Sequence, residues 1–343
     1  MQILHRPIST EKYPASAETR CPELLACYLQ HFPEAVPANI DFEDWAENTT
    51  MLAALETEAH HLGVPFRLLE TGGPAHFSGQ SGLTPPAKPA APDTVMWGLF
   101  NQRDAFEFPE AANLLWNNRE ACHTVTRWPL SETFRRHADR HVELLDMDFE
   151  AVRAAFARLK AQGHTQGFLK TTEKSWTQIV DLSEDIPSDI GWDIIANEGV
   201  KNALILQGVL QPRCEYRMFV VGNAVITGAG CIEAFTPLDR LPHTANPFDT
   251  RVEAVRNKPP HHDDPELIER YREFSQNFAI DWAAEHGRDT AYTLDLCIDA
   301  ATYQIVPIEL NPMTNTGLYA SDPVMLARAL TEPFAAARRD AAQ

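Results

Sequence analysis

The segment YTLDLCIDAATYQIVPIELNPMTNTG, residues 292–317, sets Asp295, Glu309 and Asn311 among leucine, isoleucine and valine. Asp295 lies among Leu294, Leu296 and Ile298, and Glu309 lies between Ile308 and Leu310. A carboxylate embedded in such a run needs a partner, because an unpaired buried charge costs several kcal/mol or is neutralised by a raised pKa. A divalent cation supplies one. Glu309 and Asn311 are two apart, so on an extended strand they share a face and offer the hard oxygen ligands that Mg²⁺ prefers. Whether Asp295 joins them depends on the hairpin: an odd number of loop residues, or one bulge, puts it on that face, and a two-residue loop puts it opposite. The same alternation also suits strands whose acids face solvent. Without a cation, three acceptors crowded together are expected to repel one another.

A second constellation is GFLKTTEKSW, 167–176. Lys170 closes an apolar strand and Lys174 follows a polar turn, so both can reach one anionic group as a phosphate clamp requires. Two solvated surface lysines fit the same spacing. In LILQGVLQPRCEYRMFVVGNAVITG, 204–228, a strand breaks at Gly208, and the backbone of Val209 and Leu210 is placed to read an adenine edge. Arg217 begins the next strand on the same face as Glu215, an arrangement that equally suits a structural ion pair. The acids and imidazoles of PPHHDDPE, 259–266, alternate in direction, so one cation cannot use His261, His262, Asp263 and Asp264 together. GxSxG, HExxH and Walker A patterns are absent.

The elements that must position these residues are legible from periodicity and breakers. Residues 42–62 read as a helix between Asp41 as N-cap and Gly63 as C′ residue, followed by a strand at 64–70. Four glycines and five prolines between 71 and 93 make a long, mobile loop, after which 94–100 is a buried strand. Helices are expected at 111–125, 149–163 and 265–287, with strands at 167–172, 203–210 and 216–235 and a hairpin over 292–310. The chain therefore divides into an α/β domain, 1–110, and an α+β domain, 111–343.

In serial order, the lysine strand, the glycine-interrupted hinge, the E-x-R strand and the D…E-x-N hairpin ahead of Pro312 resemble an ATP-grasp domain. Within that superfamily the chain looks most like the arginine/lysine-named clade and the related cell-division-cycle 123 proteins, over roughly residues 110–330. The resemblance implies an ATP-grasp fold, in which two α+β subdomains enclose ATP behind an N-terminal α/β domain. It implies ATP held by Lys170, Lys174, Gln207, Val209, Leu210 and Arg217, and Mg²⁺ held by Asp295, Glu309 and Asn311. Arg217 and Lys174 take the catalytic roles. The implied activity is an ADP-forming ligase that joins a small-molecule carboxylate to an amine, on an amino acid or peptide, through an acyl phosphate. The alternative is an ATP-binding assembly factor for a protein complex. Trp176 departs from the pattern, where a smaller aromatic is expected.

Composition narrows the partners. The 343 residues are 44% hydrophobic and carry 29 Lys and Arg against 48 Asp and Glu, a formal charge of −19. Such a chain can bury a core, and it repels polyanions, which argues against nucleic acid or an anionic membrane as partner. No apolar run approaches the ~20 residues of a membrane helix. Six scattered cysteines without a CxxC pair are expected to be reduced thiols in the cytoplasm.

Overall fold

A computed structural model of the chain describes residues 1–68, 94–98, 114–116, 119–172, 175–240, 246–255, 258–313 and 316–341. The long loop expected at 71–93 and the boundary expected near 110 lie outside these residues. The N-terminal part contains β1 (Gln2–His5), β2 (Lys12–Pro14), α1 (Ala17–Arg20), α2 (Pro22–His31), β3 (Val36–Ala38), α3 (Phe42–Leu62), β4 (Phe66–Leu68) and β5 (Thr94–Trp97). Strands β4, β1 and β5 form a parallel sheet with β1 in the middle. Helix α3 has the limits that its caps dictate: the Asp41 carboxylate accepts from the Asp44 amide at 2.9 Å, and Gly63 is left-handed at φ 58°. Just past β5, Gly98 has φ 145°, and a Cβ there would lie 2.5 Å from the Arg6 Cβ.

The middle of the chain contains α4 (Arg119–Thr126), α5 (Glu132–Ala138), β6 (Val142–Leu145), α6 (Phe149–Ala161), β7 (Gln166–Thr171), β8 (Thr177–Asp181), α7 (Ser188–Ala196) and β9 (Leu204–Gly208). Of the helix expected at 111–125, residues 111–113, 117 and 118 lie outside the described residues, and the described helix is Arg119–Thr126. Leu114 instead bridges to Thr94, and the Trp116 indole N–H donates to the Leu330 carbonyl at 2.8 Å, so tertiary partners claim these apolar residues first. The sheet runs β6-β9-β7-β8, antiparallel throughout. Alternation sorts its side chains: Leu169, Val180, Leu204 and Leu206 pack with Val152, Leu159, Ile190 and Ile194 of α6 and α7. Lys170 and Phe168 therefore project from the other face.

The remainder contains β10 (Pro212–Val221), β11 (Ala224–Gly230), β12 (Arg251–Val255), β13 (Lys258–Asp263), α8 (Pro265–His286), β14 (Ala291–Asp299), β15 (Ile305–Pro312) and α9 (Pro323–Ala341). An antiparallel sheet runs β11-β10-β14-β15. On one face Tyr216, Met218, Leu294 and Leu310 pack with Tyr271, Phe278 and Trp282 of α8. On the other, Phe219 and Val221 join Ile3, Met51 and Leu55 of the N-terminal part and Leu330 and Phe334 of α9. Among the described residues no helix is long and apolar enough to cross a membrane.

Candidate functional site

Two register shifts build the site. Along β14 and β15 the pairs Ile298–Ile305, Cys297–Val306 and Leu296–Pro307 follow one register, and Asp295–Glu309, Leu294–Leu310 and Thr293–Asn311 follow another. Ile308 is the extra residue of a bulge. On an unbroken ladder Asp295 would oppose Ile308, and Glu309 would turn to the far face. The bulge brings Asp295 and Glu309 directly opposite each other on one face. A second shift separates the pairs Arg213–Ile298 and Tyr216–Leu296, which brings Arg217 opposite Asp295. There Cys214 takes φ 53°, and its carbonyl accepts from the Tyr271 hydroxyl at 2.8 Å. Arg217, Asp295 and Glu309 thus form one row across three strands.

The charges in this row are paired. Arg217 Nε and Nη2 donate to the two Asp295 oxygens at 2.7 and 2.8 Å, a parallel fork, and Nη1 donates to the Gly317 carbonyl at 3.3 Å. Burial opposes the guanidinium charge, but the attraction and hydrogen bonds of Asp295 outweigh it and raise the Arg217 pKa well above its usual value. Lys170 reaches across from β7 to hydrogen-bond Glu309, with the two side chains only 7% and 13% exposed. Its ammonium also lies 5.6 Å from the Trp128 ring centre. Asn311 Nδ2 donates to Asp295 at 3.1 Å and to Glu309 at 3.2 Å. The crowding of acceptors therefore does not leave them repelling: each acid has its own cation and shares one amide donor. Lys174 lies outside the described residues.

Lys170, Arg217, Asp295 and Glu309 line a cleft of about 510 Å³ between the β6–β9 sheet and the β10–β15 sheet, and Asn311 lines a smaller pocket shared with Lys170 and Glu309. Phe168, Ile179 and Ile308 supply apolar wall, Val209 and Leu210 lie where β9 gives way to β10, and Glu215 lines the same space. Gln207 also faces the cleft, and its side-chain oxygen accepts from Arg140 Nη2 at 3.2 Å. The donor chemistry fits Mg²⁺: the two carboxylates are hard ligands of the kind this ion commonly takes together with phosphate oxygens, and Asn311, whose Nδ2 faces both acids, would add its amide oxygen only on turning the amide over. The His261–Asp264 segment serves structure instead. His261 and His262 pair along β12 and β13, and Asp264 caps α8 by accepting from the Leu267 amide at 3.0 Å. Among the described residues no group of three or more His, Cys, Asp or Glu is placed to hold a metal.

Three contributors went unread in the sequence. Arg140, after the left-handed Asp139, reaches β15 from the end of α5. Tyr319 lies with its ring centre 5.2 Å from the Arg217 guanidinium carbon. Glu47 of α3 accepts from the Leu318 and Tyr319 amides, each at 2.7 Å, and burial pushes its pKa up to about 7 against the pull of those bonds and of Arg217. Glu47 lies one turn after Asp44 on a helix, a spacing that also marks an ordinary solvated face.

No family model matches the chain, and no curated protein matches it in sequence. Among solved structures, D-alanyl-alanine synthetase A from Vibrio cholerae O1 biovar eltor is similar at 14% identity over 98% of this chain and 98% of that one, with a TM-score of 0.51. The chain has the ATP-grasp fold. Weaker likenesses are an ATP-grasp RimK domain protein from Sphaerobacter thermophilus (12% identity, 96% and 99% covered, TM-score 0.48) and D-alanine-D-alanine ligase from Coxiella burnetii (13%, 99% and 97%, 0.48). In ATP-grasp terms, the β6–β9 sheet with its helices is one α+β subdomain and the β10–β15 sheet with α8 is the other. The parallel sheet β4-β1-β5 belongs to the α/β domain that precedes them.

Proposed function

We propose that this chain is an ADP-forming, ATP-dependent carboxylate–amine ligase acting on an amino acid or peptide. The observation that supports the reading most is the convergence of Lys170 from one subdomain with Arg217, Asp295 and Glu309 from the other in one cleft. In this reading ATP lies along the cleft, its adenine against Gln207, Val209 and Leu210 and its phosphates toward Lys170, Lys174 and Arg217. Asp295, Glu309 and Asn311 hold Mg²⁺, which when bound neutralises charge on the phosphate oxygens.

The chain's own contribution is position and charge. Arg217 is fixed by its fork to Asp295, so its guanidinium stands ready where negative charge shifts during phosphoryl transfer and need not reorganise. Arg217 and Lys174 take the catalytic roles. The substrate carboxylate attacks the γ-phosphorus, the bond to ADP breaks, and an acyl phosphate forms. The amine then attacks the acyl carbon and displaces inorganic phosphate, which carries away the proton that the nitrogen loses, to give the amide. The phosphoryl-transfer step requires no side-chain base, because positioning and electrostatics carry most of it. A cytoplasmic location accompanies this reading, as does the arginine/lysine-named clade within the superfamily.

The test supplies ATP and Mg²⁺ with pairs drawn from amino acids, dipeptides and simple carboxylic acids, and follows ADP. ADP release that needs both an acid and an amine, and that falls sharply in Arg217→Ala, is the expected result. Nucleotide binding without turnover on any pair, together with a protein that co-purifies, would replace the ligase with the assembly-factor reading.

A further inference from the structure

The bulge at Ile308 decides which side of the sheet Asp295 and Glu309 share, and one side chain from outside the hairpin grips it. Helix α5 ends at Ala138, Asp139 turns left-handed at φ 46°, and the chain then directs Arg140 between the two sheets. Arg140 Nη1 donates to the Pro307 carbonyl at 2.7 Å, and Nη2 donates to the Ile308 carbonyl at 3.1 Å and to Gln207 Oε1 at 3.2 Å. Pro307 is the last residue of the first register and Ile308 is the residue left over, so the guanidinium spans the point where the ladder shifts. A bulged residue is left out of the regular pairing, and a buried carbonyl without a partner is unfavourable. Two donors on a planar fork can serve two successive carbonyls at once. A lysine has only a single nitrogen to offer.

We propose that Arg140 is a positioning residue that holds the β15 bulge, and through it the register that brings Asp295 and Glu309 onto one face. The Gln207 contact ties the same bulge to the end of β9, beside the connection between the subdomains. The unbulged register would turn Glu309 and Asn311 into the apolar cluster beneath α8, so loss of Arg140 frays β15 rather than re-registering it. Burial lowers the Arg140 pKa to about 10, partly offset by Cys297 and Asp299, which leaves the fork charged at neutral pH. Its Nε is buried without a partner, a cost tolerated to keep the fork aimed at β15.

The consequence for the ligand rests on the proposed nucleotide and Mg²⁺ site; the consequence for the hairpin does not. Arg140→Lys and Arg140→Gln are compared with the unaltered protein in two measurements. Amide hydrogen exchange is expected to quicken about tenfold or more at 295–297 and 305–309 in both variants, with β10 and β11 unchanged. Titration of ADP with and without Mg²⁺ is expected to show the metal-dependent gain in affinity, taken as a ratio within each variant, reduced about 10- to 100-fold. Hairpin exchange that stays as in the unaltered protein, or that quickens equally in every sheet, overturns the positioning role. If the unaltered protein gains nothing from Mg²⁺, the metal reading fails by itself and the exchange measurement still decides the role of Arg140.

Discussion

Lys170 and Glu309 hold each other in a nearly dry place, so neither can be removed without stranding a charge on the other. Lys170→Ala is expected to weaken ATP binding about 10- to 150-fold, the loss of a charge-assisted contact of about 1.5–3 kcal/mol, as calorimetric titration would record. The same variant should lose about 3–5 kcal/mol of stability in urea unfolding. The double variant Lys170→Met/Glu309→Leu should regain most of that stability and none of the binding. Crowded acceptors alone would make Glu309→Gln neutral or stabilising; with Lys170 as partner it is expected to destabilise. Glu47 gives a pH signature. Because its folded pKa of about 7 lies above the unfolded value of 4.5, its contribution is complete below about pH 4.5 and is lost as the pH rises through about 7. Glu47→Gln should flatten the fall in Tm across that window, and an unchanged slope would remove Glu47 as its source.

At the scale of elements, helix α5 has its own N-cap, Ser131, which accepts from the Phe134 amide at 3.2 Å, and takes a second cap from outside its own sequence. Glu285, near the end of α8, accepts from the Ser131 hydroxyl at 2.9 Å and from the Glu132 and Thr133 amides at 3.0 and 2.8 Å. Burial pushes the Glu285 pKa up, but the hydrogen bonds from Thr133, Glu132 and Ser131 outweigh it and hold it at about 2. That contribution is present above about pH 4.5 and is lost as the pH falls toward about 2. Glu285→Ala is expected to cost about 0.5–2 kcal/mol at neutral pH in urea unfolding, with the gap to the unaltered protein closing on acidification. A gap that stays constant would mean that Glu285 acts by packing alone. The contrast with α3 is physical. Its caps, Asp41 and Gly63, are neighbours in sequence, so its limits could be read locally. The apolar residues ahead of α4 have the spacing of a helix, yet Leu114 and Trp116 found better partners in β5 and α9.

Across the whole molecule, the N-terminal sheet and the hairpin sheet are joined by one core. Ile3, Met51 and Leu55 pack with Phe219, Val221, Leu330 and Phe334, and Arg328 Nε donates to Glu58 at 3.0 Å where α9 meets α3. Parts that share so much buried surface should unfold together. Leu330→Ala is expected to cost about 2–5 kcal/mol and to leave one transition, with circular dichroism and tryptophan fluorescence falling at the same denaturant concentration. Two separate transitions would show that the shared core does not couple the two parts.

The sequence by itself determined the chemistry available, the order of its carriers along the chain, and every property that depends on near neighbours. Glu309 and Asn311 share a face because strand side chains repeat every two residues, and Lys170 closes an apolar strand because Phe168 and Leu169 precede it. Only the tertiary structure decided which side Asp295 takes, since the Ile308 bulge, and not the loop from 299 to 304, sets that register. It also decided that Asp295 belongs to Arg217, across a second bulge at Cys214, and that Glu309 belongs to Lys170, 139 residues away. The reason lies in the range of the forces concerned. Periodicity is written by adjacent residues, whereas a bulge and a buried ion pair persist only where carbonyls and charges from distant segments find each other's donors.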